Sequence, residues 1–147
     1  MITKGEVQTK QEQDIVGDFR SNTAALFNPI NNMSASDIEE MVSDYITAVF
    51  EENNIEATIG RIVLYGSRSR GLENPDSDID IVVEIESDLR EDYLFNILNE
   101  SEQEIGGYPI DINPIRKEQT GTLETYLPEV EKYLSEKSAA IYDKEIE

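Results

Sequence analysis

Two short segments decide the fold of this chain: LYGSRSRG at residues 64–71 and SDIDI at residues 77–81. The first begins at the end of a run of branched apolar residues that is typical of a β-strand. Gly66 then lets the backbone turn sharply and leaves room for a phosphate group to approach. Ser67 can cap a short following helix, whose free N–H groups bind anions. The pattern therefore predicts a strand, an anion-binding turn and a second strand.

Asp78 and Asp80 stand two residues apart at the beginning of the second predicted strand. Side chains at that spacing point to the same face of a strand, so the two carboxylates project together beside the glycine turn. Neighbouring carboxylates repel one another unless a cation lies between them, and their hard oxygen atoms suit magnesium or manganese. In a chain with 32 acidic residues, an ordinary acidic strand edge is the alternative.

Asp111 is the third candidate metal ligand. It lies in a predicted strand between Ile110 and Ile112, which face the opposite side. If this strand is adjacent to the strand of Asp78 and Asp80, the three carboxylates converge and can hold two metal ions for an in-line displacement at phosphorus. If the strands are not adjacent, Asp111 is an ordinary exposed strand residue.

Basic and hydroxyl side chains complete the candidate site. Arg68 and Arg70 form a basic pair in a very acidic part of the chain, and guanidinium groups bind phosphates through two parallel hydrogen bonds. We expect both to hold a polyphosphate, with ion pairing to nearby acids as the alternative. Ser77 either contacts the same ligand or caps the turn before the strand.

The remaining periodicities predict a small α+β domain. Apolar residues at alternating steps of three and four predict a helix from Ser36 to Phe50, with Ser36 and Glu39 as its capping box. Pro128 fits the first turn of a final helix. Between these helices we expect strands over residues 59–65, 79–85 and 108–112 and a helix over residues 89–104. The result is a small mixed β-sheet flanked by helices.

Composition narrows the class of protein. Residues 1–33 are polar and weakly periodic, so we expect an N-terminal extension that is partly ordered at best, followed by one domain over residues 34–147. The absence of histidine and cysteine excludes a Ser-His-Asp triad, a thiol nucleophile and most zinc sites. No apolar run is long enough to span a membrane and the first residues do not form a secretory signal, so we expect a cytoplasmic protein.

The net charge of −20 lies mostly in the body of the domain, because residues 34–117 carry six basic and twenty acidic groups. Such a surface repels duplex nucleic acid at long range and favours a basic protein partner. A small nucleotide that arrives with magnesium is much less affected.

The spacing of Gly66-Ser67, ten residues and Asp78-x-Asp80, with Asp111 on a later strand, resembles the nucleotidyltransferase superfamily with the DNA-polymerase-β-like catalytic fold. The fuller motif is similar to the minimal nucleotidyltransferases of prokaryotes, over roughly residues 36–142. The resemblance implies transfer of NMP from an NTP, with ATP favoured, to a hydroxyl group, with release of pyrophosphate. It assigns the three aspartates to two magnesium ions, and Asp111 also to activation of the attacking hydroxyl.

The chemistry of the motif gives five candidate nucleotide-binding residues: Gly66, Ser67, Arg68, Arg70 and Ser77. Glu73 is a departure, because the family usually has a small residue there. It places an acid near the phosphate site, which would weaken nucleotide affinity.

Two classes of function remain open. The minimal family includes antitoxins that adenylylate a partner toxin of the helical HEPN ribonuclease type, which implies a protein acceptor; an RNA acceptor is disfavoured by charge. The alternative is a non-catalytic acidic module on the same fold that binds and inhibits a basic, nucleic-acid-handling protein. The flanking segments NPINNM at residues 28–33 and TGTLETYLP at residues 120–128 look similar to nucleotidyltransferase-like domains carried by phages and mobile elements, which supports this alternative. The presence of all three acids favours activity.

Overall fold

A four-stranded mixed sheet carries both motifs. The computed structural model describes the backbone of residues 4–146 and the side chains of residues 14–141. The strands are β1 (Thr58–Tyr65), β2 (Ile79–Glu86), β3 (Gln103–Ile105) and β4 (Tyr108–Ile115), and they lie in the order β1-β2-β4-β3. β2 is antiparallel to β1 and parallel to β4, whereas β3 and β4 form an antiparallel pair. The predicted α+β architecture with a mixed sheet is confirmed.

Four α-helices flank the sheet. They are α1 (Lys4–Leu26), α2 (Ala35–Glu52), α3 (Glu91–Leu98) and α4 (Leu123–Ile146), and a short 3-10 turn over Ser67–Arg70 follows β1. α3 lies in the crossover between the parallel strands β2 and β4, as such a connection requires. No helix within residues 4–146 combines the length and the apolar composition needed to cross a membrane.

Side chains along each strand point alternately to the two faces of the sheet, so the hydrophobic core has two parts, one on each face. On one face the isoleucines of β2 and those of β4 other than Ile115 pack against α2 and α3, with Ile38, Ile46 and Leu94 fully buried. On the other face Val63 and Val82 pack with residues of α1 and α4. Full burial of each such side chain contributes roughly 1.5–3 kcal/mol, so the sheet is held from both sides.

The beginning of α2 differs from the sequence prediction. The helix starts at Ala35, and its N-cap is Ser34, two residues before the predicted cap Ser36; Ser34 and Asp37 form the capping box with hydrogen bonds of 3.0 and 3.1 Å. Glu39 is free for another task, and its carboxylate accepts a hydrogen bond of 2.7 Å from the backbone N–H of Leu64. Burial raises the pKa of Glu39. The Ser36–Glu39 capping box is therefore wrong, and Glu39 instead supports the outer edge of β1.

The region between β2 and β4 also differs. The predicted helix over residues 89–104 stops at Leu98, and Gln103–Ile105 form a strand that the sequence analysis misses. Asn99 occupies the edge of β4 beyond β3, where its side chain makes both hydrogen bonds of the Ile112 backbone, at 2.8 and 3.0 Å. Alternate residues of a strand direct their N–H groups to the same edge, so the nitrogen of Pro114 faces the edge of β4 that β3 does not cover. No strand there needs a hydrogen bond from Pro114, and β4 continues to Ile115.

Helix α4 begins before Pro128. The helix starts at Leu123, so Pro128 lies inside it and not in its first turn as predicted. The start is fixed by charges: Arg61 binds Glu84 and Glu124 through four hydrogen bonds of 2.5 to 2.8 Å. The N–H of Leu123 also donates to Glu84 at 3.0 Å. This network places the first turn of α4 against the sheet despite the proline.

The N-terminal extension contains helix α1, which the weak periodicity of residues 1–33 does not predict. Within its described side chains, Val16 and Phe19 are buried against the sheet and α4. Spaced three residues apart, they form too short an apolar stripe to reveal a helix without its partner surface. The domain boundary near residue 34 remains a prediction, and residues 1–3 lie outside the described part of the chain.

Candidate active site

One row of side chains crosses three strands at an end of the sheet. Tyr65 of β1 lies opposite Asp80 of β2, and Asp80 lies opposite Asp111 of β4. Because residues opposite each other on adjacent strands point to the same face, both carboxylates project on the face that α1 and α4 cover. The condition for convergence of the acids, adjacency of their two strands, is met.

Burial and mutual repulsion raise the pKa values of both acids in the row. Burial, the charge of Asp111 and the charge of Asp78 raise the pKa of Asp80 to about 6, and Arg68 partly opposes them. The pKa of Asp111 is raised by burial and by the charge of Asp78. Within residues 14–141, no hydrogen bond or ion pair reaches these three carboxylates. Three uncompensated acids are thus held near one another, with Asp78 at the exposed end.

The chemistry of these side chains fits magnesium. Carboxylate oxygen atoms are its preferred protein ligands, and a divalent cation would remove the repulsion that raises the two pKa values. In the part of the chain whose side chains are described, no three acidic residues already stand close enough together to hold a metal ion. The row is therefore a set of neighbouring ligands and not a closed metal centre.

Gly66 turns the backbone directly beside Asp80. Its φ of 78° lies in the left-handed region, and it precedes the 3-10 turn as the N-cap residue. A Cβ atom built at this position would overlap Asp80 Oδ2 and lie 3.1 and 3.2 Å from the next two carbons of that side chain. Only glycine satisfies both requirements. The Gly66-Ser67 turn therefore lies against the acid row, as the sequence predicts.

Lys137 of α4 contacts this turn, and it is not among the site residues predicted from the sequence. Its Nζ donates a hydrogen bond of 2.6 Å to Ser67 Oγ. A signal was present in the helix spacing, because Lys137 follows Tyr126 and Val130 at 11 and 7 residues, on the edge of α4 that faces the sheet. Finding it required knowing that α4 crosses the active-site face.

Arg68 is an internal residue. It is only 5% exposed, and its Nε and Nη2 atoms donate to the carbonyl oxygen of Ser77 at 3.0 and 2.8 Å. Its guanidinium carbon lies 4.1 Å from the centre of the Tyr108 ring. Arg68 thus joins the two ends of the loop between β1 and β2 and lowers the pKa of Asp80 by its charge.

Arg70 is directed away from the acid row, into the contact between α1 and α4. Its guanidinium forms an ion pair with Glu131, donates to Thr23 Oγ1 at 2.9 Å and lies 4.3 Å from the centre of the Phe19 ring. These contacts match the ion-pair alternative for Arg70, because its donors are already engaged by protein groups. Its effect on the site is to anchor the end of the 3-10 turn.

Ser77, the remaining predicted contact, and Glu73, the departure from the family pattern, also have protein partners. Ser77 Oγ accepts a hydrogen bond of 3.0 Å from the N–H of Asn74, which is the turn-capping alternative. Glu73 accepts a hydrogen bond of 2.8 Å from Asn28. Its Oε1 atom is buried and has no hydrogen-bond partner among the described residues. Glu73 therefore connects the loop to the segment between α1 and α2.

Two tyrosines and an asparagine close the row on the α4 side. The Tyr65 and Tyr126 rings pack edge to face, with centroids 5.6 Å apart. Tyr126 Oη accepts a hydrogen bond of 2.9 Å from Asn113, which shares a face with Asp111. The pKa of Tyr65 is raised by burial, by a hydrogen bond with Tyr126 and by the charges of Asp80 and Asp111. Tyr65 therefore remains protonated beside the acids.

Comparison with known protein families agrees with this geometry. Residues 45–142, more than half of the chain, match the nucleotidyltransferase domain. A search of curated proteins finds no match to the chain. The matched range contains the Gly66-Ser67 turn, all three aspartates and Lys137. The chain therefore belongs to the nucleotidyltransferase domain family.

Proposed function

We propose that this protein transfers the AMP group of ATP to a hydroxyl group of a protein acceptor, with magnesium, and releases pyrophosphate. Membership of the nucleotidyltransferase domain family supports transfer of an NMP group from an NTP. The observation that carries the proposal is the register of Asp80 with Asp111, next to the turn at Gly66. This register supports the proposal, because it puts two carboxylates that suit magnesium next to the Gly66-Ser67 turn.

The reaction makes one bond at the α-phosphorus and breaks another. The acceptor oxygen bonds to the α-phosphorus, the bond from that phosphorus to the bridging oxygen breaks, and the electron pair leaves with pyrophosphate. The acceptor hydroxyl loses its proton to the carboxylate of Asp111. This carboxylate has no hydrogen-bond partner among the described residues, so its oxygen atoms are available to accept the proton. The backbone of the Gly66-Ser67 turn orients the phosphates.

Asp78, Asp80 and Asp111 are the residues that would hold two magnesium ions, with manganese as a substitute. When bound, the ions would neutralise charge on the phosphates and on the leaving group. The partial burial of Asp80 and Asp111 limits competition from water for the same oxygen atoms. Arg68 then acts by holding Ser77, and with it the backbone that leads into Asp78.

The choice of ATP rests on the resemblance to minimal nucleotidyltransferases, and the choice of a protein acceptor rests on charge. A protein with a net charge of −20 attracts a basic partner and repels free RNA, so an RNA acceptor ranks second. A HEPN-type toxin from the same host is the first acceptor to test, as in antitoxins of the minimal family. We expect the reaction to take place in the cytoplasm.

A non-catalytic acidic module is the second candidate function. It is favoured by the same negative charge. Such a module would bind a basic protein without ATP or magnesium. That binding would survive loss of the three aspartates, whereas AMP transfer would not.

The test is a mass measurement on acceptor proteins incubated with this protein, ATP and magnesium. Transfer of one AMP adds ~329 Da, because the hydroxyl proton and pyrophosphate leave. The Asp78→Asn/Asp80→Asn variant should give no adduct while it stays folded. The Asp44→Asn/Asp88→Asn variant is the matched control, because it removes two charges from exposed positions outside the site. Full activity of the Asp78→Asn/Asp80→Asn variant would overturn the assignment.

A further inference from the structure

Lys137 is a cation whose described partner is a hydroxyl group and not an acid. Its Nζ atom contacts Ser67 Oγ at 2.6 Å, and none of the ion pairs within residues 14–141 includes it. This is unexpected in a chain with 32 acidic and 12 basic residues. An ammonium group has three donors, and the contact with Ser67 uses one of them. As far as the described side chains go, two donors therefore remain for a ligand.

The arginines expected to hold a polyphosphate are occupied. Arg68 donates to the Ser77 carbonyl and stacks on Tyr108, while Arg70 binds Glu131 and Thr23. Neither can turn towards a phosphate without giving up buried contacts. A polyphosphate at the Gly66-Ser67 turn would therefore need a cation from another element, and Lys137 is the residue that reaches the turn.

The rest of α4 holds Lys137 in this position. Tyr126 packs against Tyr65 at the acid row, and Glu131 binds Arg70 at the other edge of the same helix. Both ends of the 3-10 turn are thus attached to α4, Ser67 by Lys137 and Arg70 by Glu131. These contacts hold α4 against the turn, and the ammonium group lies beside Ser67 in the absence of a ligand.

We propose that Lys137 binds the β- and γ-phosphates of the incoming nucleotide and then the leaving pyrophosphate, so that α4 forms one wall of a polyphosphate subsite. This inference rests on the proposed function and adds a residue from outside the motif. The ammonium group is half-buried next to Ser67, and Ser67 follows the glycine that touches Asp80. A phosphate chain between the acid row and Lys137 would meet positive charge on the side opposite the acids. Lys137 thereby makes the site selective for triphosphates over monophosphates.

Helix α4 provides a matched pair of variants. Lys137→Gln removes the ammonium group from the turn, and Lys132→Gln removes the same charge from an exposed position five residues away, about 140° around the helix. The ligands are magnesium with a non-hydrolysable ATP analogue, AMP, and inorganic tripolyphosphate. Isothermal titration calorimetry measures each affinity, and circular dichroism verifies that both variants fold.

We expect Lys137→Gln to weaken binding of the ATP analogue and of tripolyphosphate by about tenfold to a hundredfold, as loss of a charged hydrogen bond implies. Binding of AMP should change by less than about twofold, and Lys132→Gln should match the wild type for all ligands. If the wild type binds the ATP analogue and the two variants bind it with equal affinity, the role proposed for Lys137 is overturned, but the proposed function is not. Failure of the folded wild-type protein to bind the ATP analogue would instead overturn the proposed function.

Discussion

Asp80 lies directly opposite Asp111 across the parallel strands β2 and β4, and neither carboxylate has a hydrogen-bond partner among the described residues. Parallel pairing keeps the two side chains on one face at adjacent positions. Burial and the neighbouring negative charges raise both pKa values. The folded protein therefore stores unfavourable electrostatic energy at the point where a metal-bound phosphate would be bound.

The first prediction concerns the pH dependence of stability without metal. The pKa of Asp80 is about 6 in the folded protein, against about 3.9 in an unfolded chain. Between these pH values the folded state binds more protons than the unfolded state, so this group lowers the free energy of unfolding as the pH rises from 4 to 6. Asp80→Asn should therefore be more stable than the wild type at pH 7, with a smaller gain at pH 4. Urea denaturation in EDTA at the two pH values measures this, and an equal difference at both would contradict it.

The second prediction concerns Gly66. Gly66→Ala should destabilise the protein by about 2 kcal/mol or more, because alanine is strained at this positive φ and its Cβ would overlap Asp80 Oδ2. It should also abolish binding of magnesium-ATP. Gly17→Ala is the control, because a Cβ atom there meets nothing within 4 Å and alanine favours the helix. A Gly66→Ala protein as stable as the wild type would contradict the described turn.

The third prediction separates a structural from a phosphate-binding role for Arg70. Arg70→Gln should lower the free energy of unfolding by about 2–4 kcal/mol, because it removes charged hydrogen bonds to Glu131 and Thr23. In a double-mutant cycle with Glu131→Gln, the two losses should not add. If the losses add fully while affinity for tripolyphosphate falls as it does in Lys137→Gln, then Arg70 binds phosphate directly.

The fourth prediction concerns stabilisation by ligands. Magnesium alone should raise the melting temperature slightly, and magnesium with ATP should raise it more, because the phosphates supply further oxygen ligands. A ligand at one hundred times its dissociation constant adds ~2.7 kcal/mol. Sodium at matched ionic strength is the control, because screening also stabilises a chain of charge −20. The triple Asp78→Asn, Asp80→Asn and Asp111→Asn variant should gain nothing from magnesium-ATP. An unchanged wild-type melting temperature at several millimolar would contradict a nucleotide site.

Local sequence was sufficient to predict the elements around the motif. The strands at residues 59–65 and 79–85 are within one residue of β1 and β2, and the glycine turn lies where the spacing puts it. Runs of branched apolar residues and glycine turns are local signals, so they can be recognised without knowledge of the partner strands. Whether Asp111 lies next to Asp80 depends on the order of the strands in the sheet. The sequence does not determine this order, and the structure shows that the two strands are adjacent.

The errors arise where distant residues decide the local structure. Asn99 supplies the edge contacts of β4, and the Arg61 network sets the start of α4, so neither β3 nor the place of Pro128 follows from short-range patterns. Arg70 and Lys137 are charged residues whose partners lie 61 and 70 positions away. Because Arg70 lies close to the Gly66-Ser67 turn in sequence, the sequence predicts that it binds phosphate. In the fold Arg70 is directed towards α1, and Lys137 of α4 contacts the turn instead.

The most direct measurement follows labelled phosphate from ATP to an acceptor. The wild-type protein, magnesium and basic proteins of its host, including any HEPN-type toxin, are incubated with ATP labelled at either the α- or the γ-phosphorus. We predict that the α-label becomes covalently bound to a protein band and that the γ-label appears in pyrophosphate. The α-label should not transfer with the Asp78→Asn/Asp80→Asn variant. Transfer of the γ-label to protein, or transfer of the α-label that persists undiminished in that variant, would contradict nucleotidyl transfer at this acid row.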